Sequence, residues 1–98
     1  MVSIDEITRI ITPIIEPSPV KKVTLFGSYA KGTSTSSSDI DLIIDSEGQL
    51  IGIDFFSLTA ELAKVLPIKS DIYEQREIKQ NSTIFNEIER EGVIIYAR

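Results

Sequence analysis

The sequence predicts an α/β (α+β) fold, a small mixed β-sheet with helices packed against it. Two observations carry that prediction. Stretches with helical apolar spacing alternate with short apolar runs of strand length, and Pro or Gly separates nearly every pair. With 98 residues, 42% of them hydrophobic, the chain suffices for one modest core, so residues 1–98 read as one domain.

The elements follow in order. Ser3 and Glu6 form a capping box, and Ile4, Ile7, Ile10, Ile11 and Ile14 recur at helical spacing, so a helix is expected over 4–16. Pro13 should bend or shorten it, and Pro17 and Pro19 end it. KKVTLF at 21–26 reads as a buried strand stopped by Gly27. SYAKG at 28–32 reads as one helical turn. DIDLII at 39–44 alternates at its start and then turns wholly apolar, as in a central strand that meets a site at one end. Ser46, Glu47 and Gly48 turn the chain.

From Gly52 to Leu66, apolar residues at Ile53, Phe56, Leu58, Ala60, Leu62, Ala63 and Leu66 predict a core-facing helix that Pro67 stops. IKSDIY at 68–73 is a third strand. Asn81 or Ser82 caps a last helix carrying Ile84, Phe85 and Ile88, with Gly92 as its stop. VIIY at 93–96 is an edge strand or an extended tail.

Composition narrows the chemistry. There is no cysteine and no histidine, so disulfides, thiolate or imidazole metal sites and Ser-His triads are excluded. A metal must be held by oxygen, and a general base must be a carboxylate, Lys or Tyr. The net charge of −5 does not favour direct binding to nucleic acid, though it permits ATP accompanied by a cation. No apolar run reaches the ~20 residues that span a bilayer, and the acidic N-terminus does not read as a signal peptide, so no membrane contact and a cytoplasmic location are expected.

The chemistry concentrates in FGSYAKGTSTSSSDIDL, residues 26–42. In a strand, residues i and i+2 share a face, so Asp39 and Asp41 are expected side by side, with Ile40 and Leu42 in the core. Adjacent carboxylates repel unless a cation bridges them. Gly27 permits close approach to the backbone, and a helical turn starting at Ser28 offers free amides and a hydroxyl to an anion. Asp71, the acid of the third strand, can join the pair if that strand lies beside 39–44. A P-loop fails because the order is Lys31-Gly32-Thr33, and an EF-hand starting at Asp39 fails because Ile43 and Ile44 occupy its fifth and sixth positions. Ser36, Ser37 and Ser38 read as turn-bonding loop residues, and Glu87, Glu89 and Glu91 as a solvated helix face.

Gly27-Ser28, ten residues, then Asp39-Ile40-Asp41 resembles the signature of the DNA polymerase β-like nucleotidyltransferase superfamily. GSYAKG with SDIDLII is similar to its minimal nucleotidyltransferase (MNT) branch, and the resemblance covers roughly residues 20–96. It implies that Asp39, Asp41 and Asp71 bind Mg2+ and carry catalysis, and that Gly27 and Ser28 hold the triphosphate of ATP. It implies an antitoxin that transfers AMP to a tyrosine of a partner HEPN toxin. A contact-only antitoxin and transfer to a small molecule are the alternatives. The resemblance gives Lys31, where arginine is common, no firm role. It leaves open a homo-oligomer or a hetero-complex, and places the acceptor on another chain.

Overall fold

The structure is a computed structural model that describes residues 2–35, 37–79 and 82–98; the side chain of Ile84 and the predicted positions Ser36 and Asn81 lie outside the described residues. The elements run α1 (Ile4–Ile15), β1 (Lys22–Phe26), α2 (Ser28–Lys31), β2 (Ile40–Asp45), α3 (Ile53–Val65), β3 (Ser70–Glu74), a 3-10 turn (Gln75–Glu77), α4 (Thr83–Glu91) and β4 (Val93–Ala97). The four strands form one sheet in the order β3-β2-β1-β4. β1 is antiparallel to both β2 and β4, whereas β2 and β3 are parallel. Parallel neighbours need a crossover, and α3 supplies it.

Alternation divides the sheet into two faces. Val23, Leu25, Ile40, Leu42 and Ile44 pack into one core with Ile7, Ile11 and Ile15 of α1 and Leu58 and Leu62 of α3. Burying each such side chain contributes about 1.5–3 kcal/mol. The other face carries Thr24, Phe26, Asp41, Ile43, Asp71 and Tyr73. α4 lies over part of it, with Gly92 against Thr24 Cγ2.

The helix caps are those the sequence predicts at Ser3, whose hydroxyl accepts the Glu6 amide at 3.1 Å, and at Ser82, whose hydroxyl accepts the Phe85 amide at 3.1 Å. Pro13 sits in the last turn of α1 and does not break it, since Glu16 N–H still reaches the Thr12 carbonyl at 2.9 Å. Gly92 ends α4 at φ −67°, an ordinary backbone angle. Its requirement is space, because a Cβ would stand 2.6 Å from the Ile88 carbonyl oxygen. The segment 93–96 pairs with β1 as an edge strand.

One prediction needs correcting. The apolar residues of α3 do not all face the core. Leu58, Leu62 and Leu66 are buried, whereas Ile53 and Phe56 are 80% and 70% exposed and Ala60 and Ala63 are also exposed. The spacing 53, 56, 60, 63 is itself helical and forms a second apolar stripe on the outer side. Among the described residues no helix is long and apolar enough to cross a membrane.

Candidate active site

The sheet brings the predicted residues to one end. β1 ends at Phe26, β2 begins at Ile40, and β3 begins at Ser70. Phe26 is opposite Asp41 in the register, and Asp41 is opposite Asp71. The two acids from β2 and β3 therefore occupy one rung on one face. Asp39 lies just before β2, not within it. Regular pairing begins one residue later, where Ile40 N–H donates to the Lys69 carbonyl at 2.9 Å. Asp39 makes an ion pair with Lys69 at 3.7 Å, a weak surface contact that the sequence did not reveal.

Gly27 follows Phe26 and adopts φ +76°, ψ −155°, a conformation that disfavours any side chain. A Cβ there would overlap Asp41 Oδ2. Glycine thus lets the β1–α2 turn lie directly against the Asp41 carboxylate. α2 starts at Ser28 as expected, and Gly32, at φ +77°, closes this single turn with its N–H on the Ser28 carbonyl. First-turn amides have no partner inside a helix. Ser38 is a loop residue: its hydroxyl accepts the Thr35 amide at 2.8 Å.

The electrostatics single out Asp41. Its pKa is pushed up to about 6, first by burial and then by the charges of Asp71, Asp39 and Glu87. The named charges are all negative. Tyr73, on the same face two residues beyond Asp71, is raised by burial and then by Asp71 and Asp41. Its ring packs on Phe26 with centroids 5.9 Å apart.

Two acids read as solvated do more than that. Glu87 of α4 binds Lys31 Nζ at 2.8 Å, and Glu91 stands 3.4 Å from the same ammonium. Lys31 thereby ties α2 to α4, and its pKa is raised, first through the Glu87 hydrogen bond and then through Glu91. Tertiary pairing of this kind has no signature in spacing along the chain.

Among the described residues no three carboxylates are drawn together as a closed metal site. The donor set nonetheless fits a hard divalent cation. Its donors are oxygens alone, and the charges that act on Asp41 are those of Asp71, Asp39 and Glu87.

A family profile described as Polymerase beta, Nucleotidyltransferase matches residues 9–98. The chain belongs to the polymerase β nucleotidyltransferase family. Its relatives within that family are adenylyltransferases by name. A provisionally named protein adenylyltransferase of Methanocaldococcus jannaschii is 38% identical over 71 residues, covering 71% of this chain and 75% of its own. The protein adenylyltransferase MntA of Thermococcus cleftensis is 27% identical over 94 residues, covering 90% and 95%.

Two of the solved structures that the nucleotidyltransferase resembles illustrate its fold. One is a crystal structure of a toxin-antitoxin with AMP-PNP, with TM-score 0.71 and 24% identity over 99% of this chain and 75% of that one. The other is a tri-AMPylated Shewanella oneidensis HEPN toxin in complex with MNT antitoxin, with TM-score 0.68 and 20% identity over 97% and 73%. At these identities the likeness is one of fold, and the four-stranded mixed sheet shares it.

Proposed function

We propose that residues 1–98 form one catalytic domain, a magnesium-dependent adenylyltransferase. It moves AMP from ATP to a hydroxyl, a tyrosine's by preference, of a HEPN-type toxin, which it thereby restrains as an antitoxin. One observation carries this reading. Asp41 is half-buried among Asp39 and Asp71, its carboxyl is raised to about 6, and Gly27 leaves room for a ligand-bearing turn against it. Such a group asks for a cation, and a triphosphate brings one. The adenylyltransferase names of the relatives support the choice of AMP. A dependence on ATP and magnesium would suit a cytoplasmic protein.

Asp39, Asp41 and Asp71 would hold the magnesium, which supplies positive charge against the phosphate oxygens and the leaving pyrophosphate. The backbone at Gly27 and the hydroxyl of Ser28 bind the β- and γ-phosphates and fix the triphosphate over the carboxylates. The acceptor oxygen bonds to the α-phosphorus as the bond from that phosphorus to the bridging oxygen breaks. Pyrophosphate leaves with the electron pair, and the hydroxyl proton passes to Asp71.

The test is incubation of the protein with its partner, magnesium and α-labelled ATP, beside an Asp39→Ala/Asp41→Ala double variant. Label should reach the partner with wild type and not with the variant. Neutralisation of the partner by both proteins, with label transferred by neither, would leave a contact-only antitoxin.

A further inference from the structure

The free edge of β3 is the feature that the reading above leaves unused. β3 ends the sheet, and no strand lies beyond it among the described residues. Ile40 N–H donates to the Lys69 carbonyl. By alternation, Asp71 and Tyr73 then turn their backbone groups toward β2, and Ser70 and Ile72 turn theirs away. Unpaired edges are commonly blunted by proline, a bulge or a covering segment. The run Ser70–Glu74 has no proline, and its register with β2 is unbroken.

Beside this edge lies a groove of about 330 Å³, walled by β3 and the outer stripe of α3. Ala60 and Ala63 are small and keep the helix wall low, so another backbone can approach. Phe56 at 70% exposure and Tyr73 at 40% stand as aromatic walls. Ser70 lines the groove, and among the described residues its hydroxyl, shielded from solvent, has no hydrogen-bond partner. Asp71 forms part of the same wall, which makes the groove continuous with the reaction site.

We infer that an extended segment of the acceptor protein docks along the free edge of β3, pairing its main chain with Ser70 and Ile72 and presenting its acceptor hydroxyl to Asp71. The inference rests on the proposed transfer to a protein hydroxyl. Unused backbone donors and acceptors in alternation select an extended peptide, as in strand addition. The exposed rings of Phe56 and Tyr73 suit an aromatic acceptor side chain and its neighbours.

Residue-resolved hydrogen exchange on the full chain, with and without the HEPN-type partner, tests this. In the free protein the Ser70 and Ile72 amides should exchange quickly, and the Asp71 and Tyr73 amides slowly. With the partner, Ser70 and Ile72 should slow by at least ~100-fold and Asp71 and Tyr73 by less than ~3-fold. Ala60→Arg, on an exposed helix face, should raise KM for the partner by ~10-fold or more and leave kcat within ~3-fold.

Label transfer without slowing at Ser70 and Ile72 would overturn the docking strip and leave the adenylyltransferase reading intact. Slowing at those amides without transfer would keep the strip and overturn the transfer. Neither effect would overturn both. Slowing that depends on the concentration of the free protein would assign the edge to a second copy. Slowing by magnesium and a non-hydrolysable ATP analogue alone would assign the groove to the nucleotide. Either of these last two results would overturn the partner assignment.

Discussion

Asp41 and Glu74 lie on neighbouring strands, and burial pushes both carboxyl groups upward. Their surroundings differ. Glu74 faces the core side, where its carboxylate accepts the Ser46 hydroxyl and the Arg76 amide, both at 3.4 Å. These bonds act against the rise. Asp41 faces the other side, where the charges acting on it come from Asp71, Asp39 and Glu87. The difference separates two uses of a buried acid. Glu74 is a satisfied polar group that fixes the end of β3 against the turn at Ser46. Asp41 is held among like charges, a repulsion that a proton or a bound cation relieves. Burial alone does not mark a site; the sign of the neighbours does.

The comparison breaks if the two acids respond alike. The largest effect is on activity. Asp41→Asn should lower nucleotidyl transfer by on the order of 10³-fold, and Glu74→Gln should stay within about 2-fold of wild type. Initial rates with α-labelled ATP measure both. Gly27→Ala should lower the rate by about 100-fold, because its Cβ would overlap Asp41 Oδ2 at a backbone angle that disfavours side chains.

A smaller effect appears in stability without nucleotide or metal. A raised folded pKa means that the Asp41 carboxyl favours folding most fully below its unfolded value of about 3.9, and that this is lost as pH rises through about 6. Asp41→Asn should therefore be the more stable protein at pH 7. Allowing for solvent screening, the gain is about 1 kcal/mol, or roughly 5 °C in Tm. The gain should open between about pH 4 and pH 6 and be absent near pH 4. Denaturation across that range checks it, and a less stable variant at pH 7 would contradict it. Glu74→Gln should move the same way by less, since its hydrogen bonds offset part of the burial.

The smallest effect belongs to Lys31. Lys31→Met should lower Tm slightly at low salt and not at all in about 1 M salt, since its pairs with Glu87 and Glu91 are exposed and screened.

Much of this was legible in the sequence because it is local. Strand alternation placed Asp41 on one face with Ile40 and Leu42 on the other, and Gly27 and Ser28 fell at a strand-to-helix turn where the punctuation predicted one. Asp71 reached Asp41 because β3 lies beside β2, an expectation that rested on topology. What escaped was tertiary. Periodicity revealed that α3 is apolar but not that one of its two stripes stays outside. Spacing could not pair Lys31 with Glu87, or Lys69 with Asp39. Spacing along IKSDIY gave no sign that the following Glu74 is buried or that its carboxylate accepts the hydroxyl of Ser46, 28 residues earlier.

Calorimetric binding of a non-hydrolysable ATP analogue in the presence of magnesium, by wild type, Asp41→Asn and Glu74→Gln, tests the central claim most directly. If Asp41 belongs to the cation and nucleotide site, its variant should bind at least ~30-fold more weakly, and Glu74→Gln should bind within about 2-fold of wild type. Equal affinity for wild type and Asp41→Asn would contradict the account.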